Sequence, residues 1–351
     1  MKPYFSIIVP YHNSSKTIGA LLDSIQQSKK IPPLEVIIVD DGSKDTFVVP
    51  SSWFLGRKKK KLQTTRNQEL RTVHLQANHG PAKARNRGAE KAKGKFLVFL
   101  DSDVELLPDA LHNLWEIYKD DPDIVAVTGV WMKHQKTKAF FPNFKALRDW
   151  SYWINERDKS GYYYLFSTRI ASIKRDVFAR LKGFDETYAG PLVEDIEFTY
   201  RVARRYAIIF APNVRVRHEF EDFFPIAKKY FWRSYYWTKL YQQRKRFDPV
   251  ATTLEEAVAA LSGVSVVAIG LFWFFIIYMS PLWYRLPYFF MLWIAITCLL
   301  FFSMFVHGYL IRRFLLFVLK EKGIIFTIQS FFVGLALYVF IVFGAFWGKV
   351  Y

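Results

Sequence analysis

Two acidic pairs stand where apolar runs stop. In "KGKFLVFLDSDVELLPDA" the run Phe96 to Leu100 ends on Asp101-Ser102-Asp103, and in "LEVIIVDDGSKD" a β-branched run ends on Asp40-Asp41, with Gly42 and Ser43 to turn the chain. An Asp after a strand is often only a turn former or a helix cap. For "DDGS" that reading stands beside an acidic pocket of the response-regulator kind. Asp101 and Asp103 repel one another across one small residue, and neighbouring carboxylates at the mouth of a sheet normally need a cation to offset that repulsion. Hard oxygen ligands suit Mg2+ or Mn2+, ions that usually keep waters and bridge to substrate phosphates. The chemistry expected is a metal held by acids and a diphosphate held by the metal.

Glu194-Asp195 in "GPLVEDIEFTYRV" is a third acidic pair. It precedes a helical pattern of Ile196, Phe198, Tyr200 and Val202, and Gly190 and Pro191 make a flexible approach to it. The helix dipole alone favours acid at such a position. A carboxylate within hydrogen-bond reach of a substrate hydroxyl also serves as a general base.

These residues need elements to hold them. "YFSIIVP" and "LEVIIVD" flank a helical stretch from Lys16 to Gln27, and "FLVFLD" follows an Ala- and Lys-rich stretch from Pro81 to Lys93. Strand, helix, strand in that rhythm implies an α/β domain with a parallel sheet covered on both faces. Ligands of such sheets bind outside the carboxyl ends of the strands. Pro10-Tyr11, Asp40-Asp41 and Asp101-Ser102-Asp103 are those ends.

The motifs "FSIIVPYHN", "VIIVDDGSKD", "NHGPAKARNRGAEKAKGKFLVFLDSD" and "LVEDIEFTYRV", in this order and spacing, resemble the nucleotide-sugar transferases of glycosyltransferase family 2 over about residues 3 to 220. The resemblance implies a GT-A fold, a Rossmann-like mixed sheet, and transfer of a sugar from a nucleotide-diphosphate sugar. It also implies roles for single residues. Pro10, Tyr11, Asp40 and Asp41 match a nucleoside pocket, Lys83 a basic position near the nucleotide, and Asp101 and Asp103 the D-x-D pair that meets a divalent metal. His218, in "VRVRHEF", falls where some relatives place a further metal ligand, and a surface or capping histidine is the alternative. Asp195 matches the base, with Glu194 next. Family members shape the acceptor site with the region between metal and base, where Trp150, Trp153 and Tyr162 to Tyr164 are candidates against simple core packing.

The 351 residues are 52% hydrophobic and 19% aromatic, more apolar material than one core uses, and the surplus lies at one end. Uncharged runs at about 257–280, 286–310 and 323–347 are long enough to cross a bilayer core about 30 Å thick; the alternative, buried helices of a soluble protein, requires three such runs within one core. Before them, 223–250 mixes rings and cations, as an interfacial helix does. The expected organisation is a catalytic domain over 1–222, this helix, and a transmembrane domain over 251–351. Lys228, Lys229, Arg233, Lys239, Arg244, Lys245 and Arg246 precede the first span, Arg312, Arg313, Lys320 and Lys322 separate the second and third, and only Arg285 lies between the first two. Basic loops stay inside. The catalytic domain is therefore expected on the cytoplasmic face, with "GKVY" on the far side, and no signal peptide is expected from the N-terminal strand pattern.

A net charge of +18 raises nucleic acid as a partner, but the excess sits beside the spans and in the run Arg57 to Lys61, where anionic lipid headgroups account for it. The single cysteine, Cys298, lies inside a span, which excludes disulfides and cysteine-rich metal sites. Processive polysaccharide synthases differ by having spans ahead of the catalytic domain and Q-x-x-R-W in the interfacial helix, where this chain reads "YFWRSYYW"; Arg233 then reads as a lipid-facing cation, with a diphosphate contact as the alternative. Three readings follow. The first is transfer to a hydroxyl of a lipid or lipid-linked glycan, which Glu194-Asp195 favours, and the second is transfer to polyprenyl phosphate, whose oxygen needs no base. The third is a scaffold with a degenerate nucleotide-sugar domain, which predicts lost acids at the strand ends, and none is lost.

Overall fold

The computed structural model describes residues 2–45, 68–156, 164–188, 190–245, 247, 253–283 and 288–351. The run Arg57 to Lys61 and residues Tyr162, Tyr163, Arg246 and Arg285 lie outside them. The chain divides into two compact units, Met1–Lys136 with Ser160–Glu219, and Thr137–Lys159 with Phe220–Tyr351.

The first unit is built on an eight-stranded sheet in the order β3-β2-β1-β4-β7-β6-β8-β5. Strands β1 (Phe5–Tyr11), β2 (Leu34–Asp41), β3 (Gln68–Leu75) and β4 (Phe96–Leu100) are parallel, as the strand-helix-strand rhythm requires. Their registers pair Tyr11 with Asp40 and Ile8 with Phe99, so all carboxyl ends open on one edge. Beyond β4 the sheet is mixed. β7 (Ile170–Lys174) runs antiparallel to β4 and to β6 (Ala126–Trp131), β8 (Ile208–His218) runs parallel to β6, and short β5 (Val104–Leu106) pairs antiparallel with β8.

Helices cover the sheet because each presents one apolar stripe to it. α1 (Ile18–Gln27) buries Leu21, Leu22 and Ile25, and α3 (Ala110–Asp120) buries Leu111, Leu114 and Tyr118. α2 (Pro81–Lys91) approaches closely through Gly88, where a Cβ would stand 2.5 Å from the Ile8 side chain. Next in the chain comes α4 (Phe140–Trp150), continued as a π-helical turn over Ser151–Glu156, which belongs to the second unit. α5 (Arg175–Arg180) and α6 (Glu194–Ala203) return to the first unit. Phe99, Phe166, Phe178, Phe184 and Phe198 meet ring to ring at 4.7 to 6.4 Å, a cluster that links α6 to α5 and to β4. Phe198, Tyr200 and Val202 are buried as their pattern predicts, whereas Ile196 is half-buried.

The second unit is helical. It contains α7 (Phe223–Arg244), α8 (Leu254–Trp283), α9 (Phe289–Leu310), α10 (Arg312–Lys322) and α11 (Ile324–Val350). Three stretches, Leu254–Met279, Phe289–Leu310 and Ile324–Val350, are long and apolar enough to cross a membrane. The basic segment between the second and third is itself the helix α10, which buries Phe314 and Val318 on one face. Phe141, Phe144 and Leu147 of α4 pack with those two and with Ile226 and Leu337. Within this apolar unit, Arg148 is largely buried, donating to the Tyr338 hydroxyl at 3.2 Å and facing Glu156 and Glu256 at 3.7 and 3.6 Å.

α7 does not stand alone as an interfacial helix. It packs along α11 so closely that Cβ atoms added at Gly344 and Gly348 would lie 2.1 and 2.3 Å from the carbonyls of Phe231 and Tyr235. Farther along, the Lys239 ammonium and the Gln242 amide donate to the carbonyls of Tyr351 and Lys349 at 3.0 and 3.3 Å. The cation-bearing end of α7 and the end of α11 thus share one depth, and an α7 on the cytoplasmic face cannot be combined with "GKVY" on the far one. Single cysteines replacing the exposed Gln243 and Val350 in a Cys298→Ser background are expected to react with a membrane-impermeant maleimide from the same side. Labelling from opposite sides would contradict the shared depth and favour the topology that the basic loops predict.

Candidate active site

The turn after β1 and the turn after β2 are tied together by polar side chains. The Lys44 and Asp45 backbone N–H groups donate to the Asn13 side-chain oxygen at 2.9 and 3.3 Å, and the Ser15 N–H donates to Asp45 at 2.9 Å. Tyr11, fully buried, donates its hydroxyl to the other Asp45 oxygen at 2.8 Å. Burial first, then that bond and the nearby negative charge of Asp45 and Asp40, push its phenol well above the ordinary value, so it is a neutral donor at physiological pH. Pro10, half-buried, sits beside it in the strand.

The two acids ending β2 face different ways. Asp41 is buried and accepts the N–H groups of His79 and Gly80 at 2.9 and 2.7 Å, so it shapes the loop that enters α2. Gly80 has φ +89°, a conformation that glycine adopts without strain. Asp40 faces outward, taking the Ser43 N–H at 3.0 Å and His74 Nδ1 at 3.1 Å. Burial opposes its ionisation, but the hydrogen bonds from Ser43 and His74 outweigh it and hold the carboxyl below its ordinary value. Of the pair, Asp40 is the more exposed. Lys83 lies half-buried in the first turn of α2.

At the end of β4 the two acids also separate. The Asp103 side chain is 49% exposed, and its Oδ2 is 3.5 Å from Nε2 of His218, itself 13% exposed. The antiparallel pairing of Val104 with His218 makes this meeting possible, bringing the last residue of β8 to the D-x-D turn. Carboxylate oxygen and imidazole nitrogen suit a divalent cation, and among the described residues no third His, Cys, Asp or Glu joins them. Such a two-residue set fits an ion that takes its remaining ligands from water and phosphate oxygens.

Asp101 is engaged elsewhere. Its Oδ1 accepts Arg85 Nη2 at 2.7 Å, and Nη1 of the same guanidinium donates to Glu194 Oε1 at 3.0 Å. Arg85 and Glu194 are 4% and 5% exposed. Glu194 Oε2 accepts the Leu192 N–H at 2.9 Å, so both its oxygens are taken. Asp195, next in the first turn of α6, is half-buried, with Oδ1 accepting the Ile196 N–H at 2.8 Å. Its carbonyl accepts the Thr199 hydroxyl at 2.6 Å, which tightens that turn. The helix start thus presents one buried acid with both oxygens bonded and, next to it, one half-buried acid. The Ala- and Lys-rich composition of α2 gives no local sign that Arg85 is buried; the small residues Ala82, Ala84 and Gly88 share that buried face.

The aromatic candidates divide between the units. Trp150 and Trp153 belong to the helical one, and Tyr164 belongs to the sheet domain, where its ring stacks on Phe210 at 4.6 Å. Both rings are half-buried, so the stack lies toward the surface of the sheet domain and not in its core.

Residues 6–179 match the family described as "Glycosyl transferase family 2". Asp195 and His218 lie beyond the matched stretch. An uncharacterized glycosyltransferase of Haemophilus influenzae is 34% identical over 119 residues, 34% of this chain and 36% of that protein, so the chain spans about a third of that relative's length. A glucosyl-dolichyl phosphate glucuronosyltransferase of Haloferax volcanii is 26% identical over 254 residues, 64% of this chain and 71% of that protein. Among solved structures, a mannosyltransferase from Pyrobaculum calidifontis in complex with GDP-Man and Mn2+ shares the fold, with TM-score 0.53 and 16% identity over 100% of this chain and 88% of that one.

Proposed function

We propose, from the premise that residues 6–179 place this chain in glycosyl transferase family 2, that it transfers a sugar from a nucleotide-diphosphate sugar to a hydroxyl of a lipid or lipid-linked glycan, inverting the anomeric carbon. The carrying observation is the pairing of two differently built acids at one sheet edge, Asp103 beside His218 and Asp195 at the start of α6, in a chain with three membrane-length apolar helices.

The proposed division of labour follows from the geometry. Pro10, Tyr11, Asp40 and Asp41 form the nucleoside end, with Asp40 reaching the ligand and Tyr11 and Asp41 holding its loops in place. Lys83 supplies positive charge beside the phosphates. Asp103 and His218, with Asp101 behind them, would hold Mg2+ or Mn2+, and the ion when bound offsets negative charge on the departing diphosphate. The Mn2+ in the Pyrobaculum structure supports this choice of ion. Asp195 accepts the proton of the acceptor hydroxyl as its oxygen bonds to the anomeric carbon and the bond to the diphosphate oxygen breaks. Glu194 is less suited, since Arg85 and the Leu192 N–H occupy it.

The acceptor class rests on Asp195 and on the name of the Haloferax relative, a transferase of glucosyl-dolichyl phosphate, which is a lipid-linked sugar. The apolar helices anchor the enzyme, the basic flanks hold the catalytic unit on the cytoplasmic face, and anionic lipid accounts for the positive charge without nucleic acid. Thermal shift of the detergent-purified protein against a panel of nucleotide-diphosphate sugars tests the donor half. One or more donors should stabilise it with Mn2+ and much less in chelator. A panel without any Mn2+-dependent shift would overturn the reading.

A further inference from the structure

Arg85 joins two parts of the site that the chain builds far apart in sequence. Its guanidinium spans from Asp101, the first acid of the D-x-D turn, to Glu194, the residue before the proposed base. The next residue, Asn86, does the same for the preceding loop, accepting the Phe184 N–H and donating to the Phe184 carbonyl, both at 2.9 Å. Gly183, at φ +64°, permits that contact, because a Cβ there would lie 2.4 Å from the Asn86 oxygen. The Phe184 ring faces the guanidinium, 5.6 Å from its Cζ. One dipeptide of α2 therefore holds the segment leading into α6, and only its arginine also reaches the D-x-D turn.

We propose that Arg85 is a positioning residue that locks the donor-binding D-x-D turn to the helix start carrying Asp195, so that one guanidinium sets the distance between the departing diphosphate and the base. This rests on the function proposed above. Arginine suits the task and lysine does not, since a planar fork bonds two carboxylates at once and an ammonium is a single point. Losing the bridge leaves the buried Glu194 facing no cation and lets the Asp101 carboxylate swing, so both donor binding and chemistry should suffer without loss of fold.

Two measurements decide it. In hydrogen exchange on the whole protein, the 192–197 segment of Asp101→Asn should exchange about tenfold faster or more, the scale of a lost charge-assisted hydrogen bond. Asn86→Ala, which loosens the same loop but leaves the bridge, serves as the comparison. Mn2+-dependent binding of UDP and GDP should weaken by about tenfold in Arg85→Lys, and remain near the parental value in Asn86→Ala even at a matched loss of thermal stability. Unchanged exchange at 192–197 in Asp101→Asn overturns the proposal, as does nucleotide binding that falls equally in Asn86→Ala and Arg85→Lys. If the parent protein binds neither nucleotide, the binding comparison passes to the nucleoside diphosphate of whichever donor stabilises the parent, and the exchange response to Asp101→Asn still decides the coupling.

Discussion

Asp195→Asn is expected to slow single-turnover transfer to a hydroxyl acceptor by roughly 10²-fold or more, the scale for removing a general base, while donor affinity stays close to that of the parent protein. The amide cannot take the acceptor proton, yet it is nearly isosteric, and the Thr199 hydroxyl bonds the backbone carbonyl of residue 195 rather than its side chain. The helix start should therefore remain formed. Donor affinity has to be measured separately, because a fall in both quantities indicates a collapsed site and not lost chemistry. Polyprenyl phosphate supplies an acceptor oxygen that is already ionised, so with that acceptor the loss should be much smaller. Near-parental transfer to a hydroxyl by the variant would remove Asp195 from the mechanism and leave Glu194 to be tried, against the double occupancy of its carboxylate.

Asp103→Asn should behave in the opposite way. The substitution removes the exposed charged oxygen facing His218 and spares the Asp101 to Arg85 bond, so the fold is kept while the cation loses its best ligand. Mn2+-dependent binding of the nucleotide sugar and turnover should fall together, each by about 10²-fold or more if the ion neutralises the diphosphate. His218→Ala should move both in the same direction by a smaller factor, since an imidazole ligand brings no negative charge to the cation. Full turnover by Asp103→Asn in chelator would end the metal role.

The sequence made the strand ends legible because β1, β2 and β4 are short, strongly β-branched or aromatic runs cut off by Pro, Asp or Gly. The acids at those ends were visible for the same reason, and so were the three apolar stretches, which fall within a few residues of the helices observed. What was not legible depends on contacts between distant segments. β3, "QELRTVHL", and β5, three residues long, are strands only because the sheet edge takes them. α10 hides behind its four cations, its buried stripe being just Phe314 and Val318. The unequal roles of Asp40 and Asp41 follow from where the loop before α2 places its N–H groups, and no local pattern reports that. Arg85 sits on the inner face of a helix that local composition marks as solvated, and Gly344 and Gly348 look like any glycines of an apolar helix until α7 is laid against them. His218 was reachable by family resemblance alone, since the pairing of β5 with β8 is what brings it to Asp103.

The proposed reaction moves sugar from a nucleotide-diphosphate donor onto a hydroxyl of a lipid or lipid-linked glycan, with Asp195 as base. Its most direct test is the transfer of label from a panel of radiolabelled nucleotide sugars into the lipid extract of membranes containing either the parent protein or Asp195→Asn. At least one donor should label the lipid fraction in the presence of Mg2+ or Mn2+, chelator should abolish the signal, and Asp195→Asn should reduce it about 10²-fold at equal protein level. Label that never enters the lipid fraction from any donor, or that enters it equally with Asp195→Asn and in chelator, would contradict this reaction.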